Sequence, residues 1–226
     1  MHSLYTKFVS LEQALESVKN GTHLICGGFG GIGSPHSLIE GILQKDVKHL
    51  KITSNDAAYP NSGIGRLISA GLVKTLVTSH IGSNPYAGQL MTEGLLEVIF
   101  VPQGILAEKI RAGGVGIPAL VVDIGLGTIM EEGKQIIRFN GISCLIEPAI
   151  TADVGIVYAK TADTYGNLIY DKSARNNNPL VAMAADITIA EVEEIVPVGE
   201  LDPELIATPG IYVDYIVGRG GSWIRR

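Results

Sequence analysis

The chain has 226 residues with a formal net charge of −6, and hydrophobic residues make up 46% of it. It contains no basic block that would suit nucleic acid and no apolar run long enough to cross a membrane. The two cysteines, Cys26 and Cys144, form neither a disulfide framework nor a metal-binding spacing, so we expect no metal site. The N-terminal residues show no apolar secretory signal, and we therefore expect a cytoplasmic protein.

Short apolar strands alternate with amphipathic helices in the first half of the chain. Strands are predicted at residues 24–26, 50–54, 72–79 and 96–101. Helices are predicted between these strands and after the last of them, at residues 37–44, 65–70, 89–93 and 107–112. A further helix, over residues 11–19, precedes the first strand. This alternation favours an α/β fold in which an open, mostly parallel sheet is flanked by helices.

The second half of the chain adds an antiparallel subregion. Asn140-Gly141 separates two apolar strands, 135–139 and 142–146, and this dipeptide favours a type I′ hairpin. The remaining predicted elements are strands at residues 154–160, 167–170, 187–191 and 212–217 and a helix at 179–185. We expect a single domain over residues 9–218, followed by a flexible tail, 219–226, that contains Trp223.

The stretch that follows the first predicted strand holds five glycines in seven residues, from Gly27 to Gly33. Ser34 suits a helix N-cap and Pro35 suits the first helical position, so the pattern predicts a strand, a glycine loop and a helix. Glycines permit positive φ and close approach of a ligand to the backbone. A helix N-terminus adds unpaired N–H groups, and together these features favour an anion or a developing oxyanion.

Two alternatives remain open for this loop. The segment from Gly28 to Gly33 matches the G-x-G-x-x-G pattern of dinucleotide-binding folds, and Asp56 lies at a suitable distance downstream. In that fingerprint, however, the helix opens inside the glycine motif, whereas here the predicted helix starts after the last glycine. The other alternative is a tight strand-to-helix turn that binds no ligand.

The residues from Asn20 to Pro35 resemble the signature of the alpha chains of family I coenzyme A transferases of the acetate/acetoacetate type. That signature is Asn/Asp-Gly, an apolar triplet, Gly-Gly-Phe, three residues, Gly, one residue and Pro, and each element is present. The resemblance covers about residues 11–218. Further matching blocks begin at Ser54, Ser79, Val101, Glu108, Gly127, Glu132 and Lys172.

The resemblance implies the alpha subunit of a heteromeric enzyme that moves coenzyme A between short-chain acyl-CoA or acetoacetyl-CoA and acetate or a similar carboxylate. In this family a glutamate of the beta subunit, in a Ser-Glu-Asn-Gly motif, forms a glutamyl-CoA thioester. That motif is absent from this chain. We therefore expect a beta-subunit partner in an α2β2 assembly, coenzyme A as substrate and no tightly bound cofactor.

Gln103 is the best single candidate for chemistry. It follows a predicted strand on a Pro-Gln-Gly segment, at the sheet edge where α/β sites form. Its amide can donate a hydrogen bond without titrating, and the resemblance implies that it contacts the oxyanion. The resemblance also implies that the coenzyme contacts the glycine loop, which comprises Cys26, Gly27, Gly28, Phe29, Gly30, Gly31, Ile32 and Gly33.

Asn55, Asp56 and His80 follow the second and third predicted strands, and we expect them in the substrate pocket, together with Gly113 and Gly114. Turn formation would equally explain the Asn-Asp pair, and ending a helix would equally explain the glycines. Lys172 and Arg175 could meet a phosphate, although surface pairing is their usual role. Charged clusters typical of solvated faces contain Glu131, Glu132, Glu191, Glu193 and Glu194.

Three alternatives to the main functional interpretation stay open at this stage. The first is the corresponding chain of a succinyl-CoA:3-oxoacid CoA-transferase. The second is an oxidoreductase that binds a nicotinamide dinucleotide at Gly28–Gly33. The third is a non-catalytic ligand-binding domain.

Overall fold

The computed structural model describes residues 7–219, and the tail residues 220–226, including Trp223, lie outside this range. The strands are β1 His23–Cys26, β2 Leu50–Thr53, β3 Val73–Thr78, β4 Glu97–Phe100, β5 Ala119–Val122, β6 Ile136–Phe139, β7 Ile142–Pro148, β8 Ala152–Asp163, β9 Leu168–Ile169, β10 Ala185–Val196 and β11 Tyr215–Gly218. The helices are α1 Leu11–Ala14, α2 His36–Gln44, α3 Gly65–Ser69, α4 Pro85–Thr92, α5 Gln103–Gly114 and α6 Asn178–Met183.

The main sheet has the strand order β11-β10-β8-β1-β2-β3-β4, and every neighbouring pair along it is parallel. β9 adds an antiparallel partner to β8. The sequence-based prediction of an open, mostly parallel sheet is therefore confirmed. Because all seven strands of this path point the same way, the loops that follow them emerge at one edge, here called the carboxyl edge.

Alternating side chains of the central strands pack into two separate cores. Leu24 and Cys26 of β1 join the core under α1 to α4, whereas Ile25 joins the core under α5 and α6. Strands buried on both faces are typical of parallel sheets. The result is a three-layer arrangement in which the two helical layers cover opposite faces of the sheet.

The predicted hairpin is the β6–β7 pair, and β5 pairs with the other side of β7 to make a separate three-stranded antiparallel sheet. Asn140 and Gly141 both have positive φ, 50° and 81°, as a type I′ turn requires. The antiparallel subregion is therefore confirmed.

Two helices begin earlier than predicted, and a side-chain cap sets the start of the first of them. The side chain of Asn84 accepts a hydrogen bond from the Ala87 N–H, so that α4 begins at Pro85. α5 begins at Gln103, directly after Pro102. Gln103 is therefore the first residue of a helix and does not lie on a free turn.

Candidate active site

Four predicted site segments meet at the carboxyl edge because they follow four adjacent strands. The glycine hairpin, defined here as residues 27–33, follows β1. Asn55 and Asp56 follow β2, His80 follows β3, and Gln103 follows β4. The sheet order places β1, β2, β3 and β4 side by side, so consecutive loops line one continuous edge. This is where ligands bind in open α/β sheets.

The glycine hairpin is a two-residue reverse turn between Phe29 and Ile32. Each of these residues donates its N–H to the carbonyl oxygen of the other at 3.0 Å. Gly30 and Gly31 occupy the turn with φ of 57° and 87°, a combination that β-branched or bulky residues rarely adopt. The side chains of Phe29 and Ile32 are 51% and 56% exposed, so the turn presents apolar groups to solvent at the carboxyl edge.

A chain of hydrogen bonds joins this hairpin to α5. The Gln103 Nε2 donates to Asn55 Oδ1 at 3.2 Å, and Asn55 Nδ2 donates to Asp56 Oδ2 at 2.9 Å. The same Asp56 oxygen accepts the Gly30 N–H at 2.8 Å. Its other oxygen accepts the Ala58 N–H. The structure therefore brings Gly30, Asp56, Asn55 and Gln103 into one connected polar group.

Gln103 is the exposed side chain of this group, whereas Asn55 and Asp56 are buried. Its Nε2 carries two hydrogens and only one is needed for the bond to Asn55. An exposed amide at a helix start, held on one side by a buried partner, can offer its remaining hydrogen to a bound ligand. The geometry suits a donor to a developing oxyanion.

His80 joins the carboxyl edge through its backbone. Its carbonyl oxygen accepts the Ala57 N–H at 2.9 Å, which ties the loop after β3 to the loop after β2. The imidazole packs over Gly82, where a Cβ atom would lie 2.7 Å from His80 Cε1. The imidazole ring of His80 is exposed to solvent and lies against the turn at Gly82.

The remaining predicted residues are not in this group. Cys26 is 1% exposed and packs into the core, and burial raises the pKa of its thiol. Gly113 and Gly114 end α5, about 15 Å along the helix from Gln103 at 1.5 Å per residue. A Cβ atom on Gly113 would lie 2.0 Å from the Ile150 carbonyl oxygen, and one on Gly114 would lie 2.6 Å from Met183 Cβ. Close packing accounts for both glycines.

The N-terminus of α2 is not available to an anionic ligand. Glu191 of β10 is fully buried, and its Oε2 accepts the N–H groups of Ser37 and Leu38 at 2.6 and 3.1 Å. A carboxylate of the protein therefore fills the place that a pyrophosphate would take in a dinucleotide fold. This geometry opposes the dinucleotide alternative, because the group bound at this helix end is the protein's own Glu191.

Sequence reasoning also placed Glu191 on a solvated face, which is wrong. Burial raises the pKa of Glu191, and the backbone hydrogen bonds from Leu38 and Ser37 partly offset this. The residue belongs to a strand, β10, that is 12 residues long and mostly buried. The predicted strand at residues 187–191 ends at this residue, whereas β10 continues to Val196, so the charged residues after Glu191 were not recognised as part of the strand.

Two asparagines that no sequence pattern singled out also contact the glycine hairpin. Asn178, the first residue of α6, donates from Nδ2 to the Gly33 carbonyl oxygen at 3.0 Å. Asn176 donates from Nδ2 to the Ile32 carbonyl oxygen at 2.9 Å. Asn178 precedes Pro179, a signal for a helix start, but such a signal says nothing of contacts 145 residues away.

A cavity of about 260 Å³ lies beside the hairpin, between residues 32–34 and residues 171–174. Its polar lining includes His36, Tyr158, Lys172 and Arg219. Burial lowers the pKa of His36, helped by the charges of Arg219 and Arg66. Burial also raises the pKa of Tyr158 to about 12. The cavity thus combines two neutral hydrogen-bonding groups with two cations and one carboxylate, that of Asp171, which lies 4.0 Å from Lys172 Nζ.

Within residues 7–219, no group of three or more histidine, cysteine, aspartate or glutamate side chains could hold a metal ion. No helix in the same range has the length and apolar character needed to span a bilayer.

Comparison with known proteins places the chain in a family. The family model for "Coenzyme A transferase" matches residues 8–219. The chain is 52% identical over 221 residues to the alpha subunit of a probable coenzyme A transferase of Bacillus subtilis, covering 97% of this chain and 96% of the relative. It is 44% identical over 212 residues to the alpha subunit of the acetate CoA-transferase of Escherichia coli, covering 94% and 96%.

A solved structure agrees with the fold. The acyl-CoA transferase YdiF from Escherichia coli O157:H7 superposes with a TM-score of 0.84 over 98% of this chain at 24% identity. The chain spans 50% of the length of that protein. This likeness supports the architecture, and the sequence matches establish the relationship: the chain belongs to the coenzyme A transferase family.

Proposed function

We propose that this chain is the alpha subunit of a heteromeric CoA-transferase that exchanges coenzyme A between acetoacetyl-CoA or another short-chain acyl-CoA and acetate or a similar carboxylate. The observation that carries the proposal is the connected group of Gly30, Asp56, Asn55 and Gln103 at the carboxyl edge. This group offers hydrogen-bond donors, yet the chain lacks the Ser-Glu-Asn-Gly motif that supplies the nucleophile in the resembled family. The site is therefore half of an active site, and a beta subunit completes it.

The proposed reaction uses a glutamate of that partner. Its carboxylate attacks the thioester carbonyl, the tetrahedral oxyanion collapses, and the coenzyme A thiolate leaves behind an acyl-glutamyl anhydride. The thiolate then attacks the glutamyl carbonyl and releases the donor's carboxylate, which leaves a glutamyl-CoA thioester. The acceptor carboxylate reverses these two steps. Gln103 donates to the oxyanion of the tetrahedral states, and Asn55 holds the Gln103 amide for that task.

The other predicted residues have supporting roles in this proposal. The apolar side chains of Phe29 and Ile32 contact the short acyl group, and Asp56 fixes the turn that carries them. Coenzyme A is polyanionic, and Lys172 at the neighbouring cavity suits one of its phosphate groups. Arg219 lines the same cavity but is already paired with Glu193. Gly113 and Gly114 have no part in the pocket.

The decisive experiment compares this chain alone with this chain co-purified with a beta subunit that carries Ser-Glu-Asn-Gly. Acetate and acetoacetyl-CoA are the substrates, and formation of acetyl-CoA is followed. We expect activity only from the assembled protein, and borohydride trapping of a glutamyl thioester on the partner. Full activity of this chain alone would contradict the shared site. Replacing the acyl donor by succinyl-CoA separates the acetate-type enzyme from the succinyl-CoA:3-oxoacid alternative.

A further inference from the structure

Asn178 is fully buried and uses both ends of its amide. Its Oδ1 accepts the Tyr158 N–H of β8 at 3.0 Å. Its Nδ2 donates to the carbonyl oxygens of Gly33 at 3.0 Å and Ala174 at 2.8 Å. One side chain thus joins the sheet, the glycine hairpin and the 3₁₀ turn before α6. Because a buried amide left without partners is costly, these three bonds fix one orientation of the side chain.

The same amide contacts both ends of the glycine hairpin. A Cβ atom on Gly27 would lie 1.8 Å from Asn178 Oδ1, and one on Gly33 would lie 2.9 Å from Asn178 Nδ2. The two ends of the hairpin therefore close around a single side chain. Glycine is needed at both positions because any larger residue would displace Asn178.

The hairpin is also held from a second direction. Asn176 Nδ2 donates to the Ile32 carbonyl oxygen, while Asp56, on the opposite side at the end of β2, accepts the Gly30 N–H. Four glycines of the hairpin have positive φ, and glycine-rich backbone is conformationally free unless other groups restrain it. The tip itself supplies little restraint, because Phe29 and Ile32 are half exposed.

We propose that Asn178, assisted by Asn176, is a positioning residue that holds the base of the glycine hairpin in its reactive geometry. The inference rests on the proposed function for its effect on turnover. Donors and contact groups accelerate a reaction only when they are fixed before the charge develops. Releasing the base of the hairpin moves Phe29, Gly30 and Ile32 together, while Gln103 on α5 keeps its place. Asn178 acts on the substrate only through the hairpin.

The test uses the assembled enzyme with three alanine variants. Asn178→Ala removes the bond to Gly33 and the contact with Gly27. Asn176→Ala removes the bond to Ile32, together with the local bonds of the Asn176 side chain to the Ser173 carbonyl oxygen and the Asn177 N–H. Asn177→Ala is the matched control. Asn177 lies between them, is partly exposed, and its side chain makes no hydrogen bond among residues 7–219. We expect Asn178→Ala to lower kcat by about tenfold to a hundredfold. Asn176→Ala should lower it by roughly threefold, and Asn177→Ala should stay within about twofold.

Two further readouts separate positioning from a general loss of structure. The KM for the acceptor carboxylate should change by less than about threefold in Asn178→Ala, since a displaced hairpin loses more alignment with the transition state than apolar contact with the bound acid. Amide hydrogen exchange should accelerate at residues 28–34 and remain as in wild type in the strands of the main sheet. The proposal would be overturned if Asn178→Ala kept a kcat within about twofold of wild type, or if Asn177→Ala and Asn178→Ala lowered kcat equally.

If Asn178→Ala does not fold, the kcat of Asn176→Ala tests the proposal instead. An unchanged kcat in Asn176→Ala overturns it. An inactive wild-type assembly would instead count against the proposed function. In that case hydrogen exchange on this chain alone still tests the restraint, because it requires no turnover.

Discussion

The two ends of α5 differ: its first residue has an exposed polar side chain, whereas its last two residues are closely packed glycines. At its first residue, Gln103 is exposed and its amide reaches Asn55 across the carboxyl edge. At its last two residues, Gly113 and Gly114 have no room for a side chain, because Ile150 and Met183 fill the space. Between them, Lys109 pairs with the buried Glu147 of β7. If Gln103 has the proposed role, substitutions at the start of α5 should affect turnover, and substitutions at its middle and end should affect stability.

The largest effect is expected for Gln103→Ala in the assembled enzyme. Loss of an oxyanion donor should lower kcat by about a hundred- to a thousandfold, which is roughly 2.7–4 kcal/mol of transition-state stabilisation. The melting temperature should not change, because the side chain is exposed. Steady-state kinetics and thermal unfolding of the same preparation check both statements. A kcat within about twofold of wild type would make Gln103 a bystander.

The stability that the Lys109–Glu147 ion pair gives to the fold, at the middle of α5, should depend on pH. Glu147 is 1% exposed and accepts hydrogen bonds from Lys109 at 2.7 Å and Lys134 at 2.5 Å. Burial alone would raise the pKa of Glu147, but these bonds and the two lysine charges outweigh burial and lower it. Glu147→Gln leaves Lys109 without its countercharge and should destabilise the fold by about 3 kcal/mol near neutral pH.

The sign of the pH dependence follows from that lowered pKa. The stabilisation is complete above the pKa of the unfolded glutamate and is lost as pH falls through the folded value. Denaturant unfolding at several pH values gives the free energy of unfolding of wild type and of Glu147→Gln. When plotted against pH, the two free energies should converge in acid. Curves that stay parallel down to pH ~3, below the unfolded pKa, would exclude the charged pair as the cause.

A smaller loss is expected at the far end of α5. Gly114→Ala places a methyl group against Met183 and should cost about 1–3 kcal/mol, as overpacking does. Gly104→Ala is the matched control on the same helix, because no described atom lies within 4 Å of a Cβ atom there, and it should stabilise by roughly 0.5–1 kcal/mol. A marked fall in kcat for folded Gly114→Ala would return this glycine to the substrate pocket.

The smallest effect is expected on the solvent face of α5. Arg111 Nε lies 2.8 Å from Glu108 Oε2, and the two side chains are 39% and 52% exposed. Arg111→Ala should cost about 0.2–0.5 kcal/mol, and the difference from wild type should vanish in ~1 M salt. Thermal unfolding at two ionic strengths measures this, and a salt-independent loss would point to packing of the arginine stem.

Local patterns predicted the positions of most strands and helices, because apolar alternation and capping signals are encoded within a few residues. β1, β2 and the β6–β7 hairpin fall within about two residues of their predicted bounds. The family, too, followed from short ordered blocks. Gln103, Asn55 and Asp56 could be placed together because parallel strands deliver their loops to one edge.

What sequence patterns missed depends on partners that are distant in the chain. In the sequence, Glu191 resembles an exposed residue, because the two N–H groups that bind it lie at the N-terminus of α2, about 150 positions away. Asn178 resembles an ordinary residue at a helix start until Gly27 and Gly33 close around it. In the sequence, Gly113 and Gly114 resemble a ligand-binding loop, because glycine occurs both in flexible loops and at positions of close packing. A single sequence carries no mark that distinguishes such cases.

Under the proposed function, Glu191 also bears on how this molecule attracts the polyanionic coenzyme. A helix N-terminus offers a fixed partial charge inside the protein, where dissolved ions screen it weakly. Here the Glu191 side chain occupies the N-terminus of α2, so the N–H groups of Ser37 and Leu38 are already used within the protein. Attraction therefore falls to side-chain cations such as Lys172, which is largely exposed to solvent. If the chain holds the coenzyme as proposed, its affinity should consequently fall as ionic strength rises.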